Sequence, residues 1–161
     1  GHFGEDQKNL TGNLSAGVAS NAQAVVVWGH VPEKQDNPKI QYRGFGHNKQ
    51  LIFNSFDVLI SLSRAENLPL VIIQALSAGL PCVLSNITGH QSFSNCPGVY
   101  LVDPDDHAEV CAAINEALAL KGALAPDIRA YWHQRYAVAA VTGEWLALIN
   151  RMTRAEHTDK G

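Results

Sequence analysis

Apolar residues in this chain fall in short unbroken runs, separated by longer stretches with helical spacing. Ala24–Trp28 (Ala-Val-Val-Val-Trp), Asp57–Ser61 (Asp-Val-Leu-Ile-Ser), Cys82–Ser85 (Cys-Val-Leu-Ser) and Val99–Val102 (Val-Tyr-Leu-Val) are the runs. Continuous apolar segments of this length predict strands covered on both faces. Lys39–Arg43 predicts a further, more alternating strand that ends at Gly44. Helices are predicted over residues 7–21, where Leu10, Leu14 and Val18 are four apart, and over His47–Asn54 and Pro69–Ala78. Three more follow: His107–Leu120, with Val110, Ile114 and Leu118 on one face, then Pro126–Tyr136 and Val138–Met152. Gly12 and Gly17 weaken the first helix, and Gly79 stops the third. Gly29–Pro38 reads as a polar loop, and residues 153–161 as a polar, disordered tail.

Strands that alternate with helices, the central ones uniformly apolar, predict an α/β fold: a Rossmann-like parallel sheet flanked by helices. The pattern predicts one domain over residues 1–152. Ligands of such folds sit at the C-terminal ends of the strands. The segments after Trp28, Arg43, Ser61 and Ser85 are therefore the candidate site walls.

Composition narrows the function classes. The chain has 161 residues, enough for one domain with a real core, and 46% hydrophobic with 17% charged residues is ordinary for a globular protein. A net charge of −3 gives no general affinity for nucleic acid. No run of eighteen apolar residues predicts a transmembrane helix, and the start does not read as a signal peptide. Cys82, Cys96 and Cys111 form neither a disulfide framework nor a zinc pattern. They read as reduced thiols of a cytoplasmic protein. The sequons at Asn9, Asn13 and Asn86 read as chance triplets.

The candidate chemistry concentrates in residues 63–85. Glu66 stands in a loop just before Pro69 and the start of a short apolar helix. A helix start exposes N–H groups and a positive dipole end, which favours a phosphorylated ligand. Glu66 has two readings on residues alone: a ligand-contacting acid, or an acid that merely supports the dipole. Asp103-Pro104-Asp105-Asp106 is read as an N-cap and first-turn acids for the next helix rather than a metal motif. No cluster has metal-ligand spacing, and no Walker A loop, dinucleotide fingerprint or nucleophile elbow occurs.

The block Ser63-Arg-Ala-Glu66-Asn-Leu-Pro69-Leu-Val-Ile-Ile-Gln74-Ala75-Leu-Ser-Ala-Gly79-Leu-Pro81 resembles the donor-binding motif of retaining GT-B glycosyltransferases, the group 1 or GT4 family. That motif places two acids eight residues apart; here Glu66 is the first and Gln74 replaces the second. Further pieces occur in the family's order. They are Gly1-His2-Phe3 with Lys8-Asn9-Leu10, Val27-Trp28-Gly29-His30-Val31-Pro32, Gln41-Tyr42-Arg43-Gly44-Phe45, Phe56–Ser61 and Val99–Asp106. The resemblance covers nearly the whole chain and implies the C-terminal, donor-binding half of such an enzyme. It also implies that a central strand precedes Gly1 and that the acceptor-binding N-terminal domain lies outside this chain.

The resemblance implies roles for particular residues. Glu66 is the catalytic-site acid that contacts hydroxyls of the donor sugar. Lys8 and His2 stand at the two positions that hold the donor phosphates, with His2 where the family has Arg. The backbone N–H groups of Asn67, Leu68 and Leu70 point at the diphosphate. Gln74 contacts the ribose, where an amide accepts one bond and donates another instead of accepting two. Arg43 and Phe45 flank the nucleobase, Phe45 being otherwise a core aromatic. Gly89-His90-Gln91 departs from a glycine-rich turn followed by an acid, and His90 has two readings, a substrate contact or, preferred, a surface residue.

The implied function is transfer of a sugar from a nucleotide-diphosphate donor to a glycan or lipid-linked acceptor, without metal or other cofactor. The implied setting is cytoplasmic polysaccharide assembly, with the full-length enzyme peripheral to the membrane. This fragment alone is expected to be inactive. A sheet short of its central strand has open edges, so a homodimer is expected. Gln74 and His2 favour an alternative, a non-catalytic paralogue that binds nucleotide-sugar weakly or serves in assembly. A GT-B epimerase is a third reading, which the Glu66–Pro81 block fits less well.

Overall fold

A computed structural model describes residues 5–31 and 33–158, in which short strands alternate with helices. The order is α1 (Glu5–Lys8), α2 (Leu10–Ala19), β1 (Val25–Trp28), β2 (Ile40–Gly44), α3 (Lys49–Asn54), β3 (Leu59–Ser61), α4 (Leu70–Ala78), β4 (Cys82–Ser85), α5 (Thr88–Gln91), β5 (Val99–Val102), α6 (His107–Arg135) and α7 (Val138–Thr158). All strand pairs are parallel; helices join β3 to β4 and β4 to β5, whereas β1 reaches β2 with no helix among the described residues.

The strands form two sheets rather than the single expected one: β1-β2, and β3-β4-β5. β1 and β3 do not pair with each other. Helix α2 packs against both and so ties the sheets together. Leu10 and Leu14 of α2 close a small core over Val27, Val31 and Ile40. Ala16, on the same helix, joins the core beneath the three-stranded sheet.

Strand β4 is central in its sheet, and all four of its residues are buried. Alternation along it sends Cys82 and Leu84 into one core with Phe53, Ile72, Leu76, Phe93 and Ile128. Val83 goes to the opposite core with Leu62, Val102, Val110 and Ile114. Helix α6 feeds both cores, the first through Ile128 and the second through Val110, Ala113, Ile114 and Ala117.

That dual role explains the largest departure from the sequence pattern. Residues 121–125, expected to separate two helices, are helical, and Pro126 lies inside α6. An interior proline costs a helix about 3 kcal/mol. Against it stand Leu124, Ile128, Tyr131 and Trp132, all packed on the Cys82–Leu84 side of the sheet. The arm is also seated at Gly79, the left-handed C-cap of α4 (φ 79°). A Cβ there would come within 2.5 Å of Arg129 Nη1 and 3.0 Å of the Ala125 carbonyl oxygen.

Two further expectations change. The first helix is divided at Asn9, which takes a left-handed conformation (φ 48°) and caps α2. The chain over 153–158, expected to be disordered, continues α7. Arg154, Ala155 and Glu156 are strong helix formers and extend a helix without needing a core. None of the described helices is long and apolar enough to cross a membrane.

Two variants test these contacts. Asp106 caps α6 by accepting from the amides of Ala108 and Glu109, both at 3.0 Å. Asp106→Ala is expected to lower unfolding stability by about 1 kcal/mol in urea titration. Gly89 of α5 lies so close to the Glu66 loop that a Cβ would stand 2.0 Å from the Glu66 carbonyl oxygen. Gly89→Ala is expected to cost about 1–3 kcal/mol by the same assay, and an unchanged midpoint would contradict this packing.

Candidate functional site

The C-terminal ends of the parallel strands carry the site, and a corner of chain between α1 and α2 brings Lys8 to it. Asn13 holds that corner in place. Its amide nitrogen donates to the carbonyls of Lys8 (3.0 Å) and Asn9 (2.7 Å), and its oxygen accepts from Leu62 N–H (3.0 Å) just beyond β3. The Arg64 amide donates to the Gln7 carbonyl at 2.8 Å, and Gln7 Nε2 donates to the Ala65 carbonyl at 3.1 Å. Residues 58 apart in sequence are thereby fixed side by side. The Lys8 ammonium pairs with Glu66 Oε1, an ion pair whose side chains are 28% and 12% exposed.

Glu66 Oε1 accepts a second bond, from Ser63 Oγ at 3.0 Å. Its other oxygen has no protein partner among the described residues. The Glu66 loop is also tied across to the next turn by Arg64, whose guanidinium makes two bonds to Asp105 (2.7 and 3.0 Å). That pair raises the Arg64 pKa and lowers that of Asp105, but it is exposed to water and adds little stability.

Beside Glu66, α4 begins without a side-chain cap at Pro69. Leu68, Leu70 and Val71 are exposed there. The Leu70 amide, expected to face a ligand, is engaged instead with the Leu68 carbonyl at 3.0 Å. The tight turn into Pro69 folds it back. The amides of Asn67, Leu68 and Val71 have no protein acceptor among the described residues, so Val71 replaces Leu70 in the set of free donors. Gln74 is half-buried, one turn after Leu70, and its side-chain amide also lacks a protein partner among the described residues.

At the ends of β1 and β2 lies a cavity of about 300 Å³ lined by Gly29, His30, Val31, Lys34, Tyr42, Gly44 and Phe45. Phe45, 71% exposed, is no core residue. Lys34 sits over the Tyr42 ring at 5.5 Å, a cation–π contact. Arg43 does not line this cavity. Strand alternation sends Tyr42 there, while Arg43 Nη2 bonds Gln41 Oε1 at 2.7 Å on its own strand. His2 lies outside the described residues.

His90 is a correction. Expected at the surface, it is fully buried beneath the site. Its Nδ1 stands 2.9 Å from the Ser85 carbonyl oxygen and 3.2 Å from Ser85 Oγ. Ser85 Oγ in turn donates to the Ser63 carbonyl. Burial pushes the His90 pKa down, partly offset by the bond to Ser85 and by the charge of Glu66. Asn13, Ser63, Ser85 and His90 therefore brace the candidate site. Ser63 had a sequence signal as the first letter of the Glu66 motif, and His90 one as part of the turn that departs from the family pattern. The others are ordinary polar residues whose roles depend on distant partners.

Comparison with known proteins supports one family. The family model described as "Glycosyl transferases group 1" matches residues 8–119, well over half of the chain. No curated protein shows significant sequence similarity. Solved structures share the fold. Anabaena HepE, in complex with UDP-glucose, superposes with a TM-score of 0.75 at 19% identity, over 90% of this chain and 46% of HepE. Sucrose-phosphate synthase from Thermosynechococcus elongatus gives 0.74 at 19% identity, over 92% of this chain and 43% of that enzyme. The lipopolysaccharide outer core galactosyltransferase WaaB, in its apo form, gives 0.73 at 14% identity, over 90% and 46%. The chain thus spans less than half the length of these proteins. On the match to the family model, this chain belongs to the group 1 glycosyl transferases.

Proposed function

We propose that this unit binds the nucleotide-sugar donor of a retaining, metal-independent glycosyl transfer. The observation that carries the reading is the meeting of Lys8 with Glu66 beside the uncapped start of α4. A cation, a carboxylate with one unpartnered oxygen and three free amides there match the parts of a sugar diphosphate. The developing negative charge on the leaving diphosphate would be met by Lys8 and by the amides of Asn67, Leu68 and Val71. Preorganised donors of this kind stabilise such charge without rearranging during the reaction. The free Glu66 oxygen would accept from a donor-sugar hydroxyl, a charge-assisted bond. Gln74 would contact the ribose, and the cavity at Phe45, Tyr42 and Lys34 would take the base. The UDP-glucose bound by the structural neighbour HepE supports a uridine nucleotide as the first probe. The acceptor, a glycan or a lipid-linked sugar, would be presented by a part of the enzyme outside this unit.

Gln74 favours a second reading, a non-catalytic relative that retains weak donor binding. An amide holds two ribose hydroxyls less well than a carboxylate, because it has one acceptor group and one donor group. Gln74→Glu decides between the two readings. Tighter donor binding or faster turnover marks a tuned working site, and no response marks a vestigial one.

The donor reading is tested by thermal shift and calorimetry with UDP, GDP, ADP, CMP and their sugar conjugates. A ligand of the folded form raises the melting temperature as its concentration passes its Kd. In the unliganded chain Glu66 competes with a diphosphate for Lys8. Glu66→Ala is therefore expected to preserve or strengthen binding of the bare nucleoside diphosphate and to abolish the increment from the sugar. Lys8→Met is expected to weaken both by about 10–100-fold, the scale of a lost bond to a charged group. Equal losses of nucleotide and sugar conjugate in Glu66→Ala would remove Glu66 from the sugar site.

A further inference from the structure

We infer that His90 is a positioning residue for Glu66, acting through Ser85 and Ser63 rather than by contact with a ligand. The chain of bonds is short and has one direction. The Ser85 carbonyl can only accept, so the His90 nitrogen 2.9 Å from it, Nδ1, carries the hydrogen. The same N–H reaches Ser85 Oγ at 3.2 Å. Ser85 Oγ, with its own hydrogen committed to the Ser63 carbonyl, is an acceptor there. Ser63 Oγ then donates to Glu66 Oε1 at 3.0 Å. The bond from Ser85 holds the main chain of Ser63, and the hydroxyl of that same residue reaches the carboxylate, so the path from the buried ring to Glu66 runs through the Ser63 backbone.

Two observations set this apart from ordinary core packing. First, His90 Nε2 is buried with no partner among the described residues. A second proton there would be an unsatisfied buried donor on a charged ring, so the ring is held neutral with its hydrogen on Nδ1. The donor facing Ser85 is thus permanently in place. Second, α5 grips the same loop through its backbone. Gly89, the adjacent residue, lies where any Cβ would meet the Glu66 carbonyl at 2.0 Å. Gly89 sets the backbone of Glu66 while His90, through the two serines, sets its side chain. One acid oxygen is thereby held by Ser63 and Lys8, and the other is left toward the ligand space. The consequence for sugar binding rests on the donor reading above; the bond network itself does not.

The test compares wild type with His90→Leu, His90→Asn and Ser85→Ala in the full chain. Leucine keeps apolar bulk but removes the donor. Asparagine returns a donor near the Nδ1 position. Ser85→Ala cuts the relay with little change in volume and covers the case in which His90→Leu fails to fold. Without ligand, long-range 1H–15N NMR is expected to show His90 protonated at Nδ1 and bare at Nε2. The amide signals of Ser63 and Glu66 are expected to move in His90→Leu and Ser85→Ala and to return in His90→Asn. With UDP and UDP-glucose as probes, calorimetry is expected to show about a tenfold loss of UDP-glucose affinity in His90→Leu and Ser85→Ala. UDP itself should change less than about twofold, and His90→Asn should recover most of the loss.

A bare Nδ1, unmoved Ser63 and Glu66 signals, or equal losses for UDP and UDP-glucose would each overturn the inference. If wild type binds neither probe, the uridine donor reading fails by itself. The NMR comparison then decides the positioning role alone.

Discussion

The burial of β4 on both faces is the constraint on which the rest of this structure depends. Its four residues pair on either side with β3 and β5, and its alternating side chains anchor two separate cores. A strand so placed cannot slip by one residue without turning Val83 out of its core and Leu84 into the wrong one. Register is therefore fixed, and with it the position of Ser85 at the strand's end. Ser61 and Leu84 are partners across the β3–β4 ladder. That pairing carries Ser63, two residues beyond β3, to Ser85, one residue beyond Leu84. The site is built on the exits of the two most firmly held strands of the larger sheet.

Around that anchor, charged and polar groups are positioned by side chains bonded to the main chain of neighbouring segments as well as by other charges. Lys8 arrives because Asn13 and Gln7 fasten the α1–α2 corner to the chain leaving β3. Glu66 is held by Ser63 and Lys8 from one side and by the close approach of α5 from the other. The exposed Arg64–Asp105 bridge contributes little energy by comparison, yet it ties the same loop to the turn before α6. On the donor reading proposed above, this fixed placement would matter. A carboxylate that must choose among sugar hydroxyls discriminates only if its own rotamer is fixed.

Much of the fold and part of the site were legible in the sequence. The strands Val25–Trp28, Ile40–Gly44 and Cys82–Ser85 stand within a residue of their predicted positions, because unbroken apolar runs have no stable place outside a covered sheet. Gly79 ended α4 as expected, and the Asp103–Asp106 acids supplied a helix cap. The Glu66 motif gave the acid, its serine and the helix start, all local features of one segment. Local pattern reading failed at Pro126, where propensity argued for a break and packing argued for continuity. Nor did it give the side of β2 that Arg43 takes, since the face a strand residue takes is set by what the sheet packs against.

By itself, then, the sequence determined which segments are strands and helices, that the strands run parallel, and which loop holds the acid. These follow from periodicity, apolar run length and helix-end chemistry, which act over a few residues. Only the tertiary structure decided that α6 covers both faces through Pro126, that Leu70 has no free amide, and that His90 is buried under Glu66. It also decided which residues 58 positions apart meet at the site. Each of those outcomes turns on contacts between distant segments, whose free energy no local pattern of residues encodes.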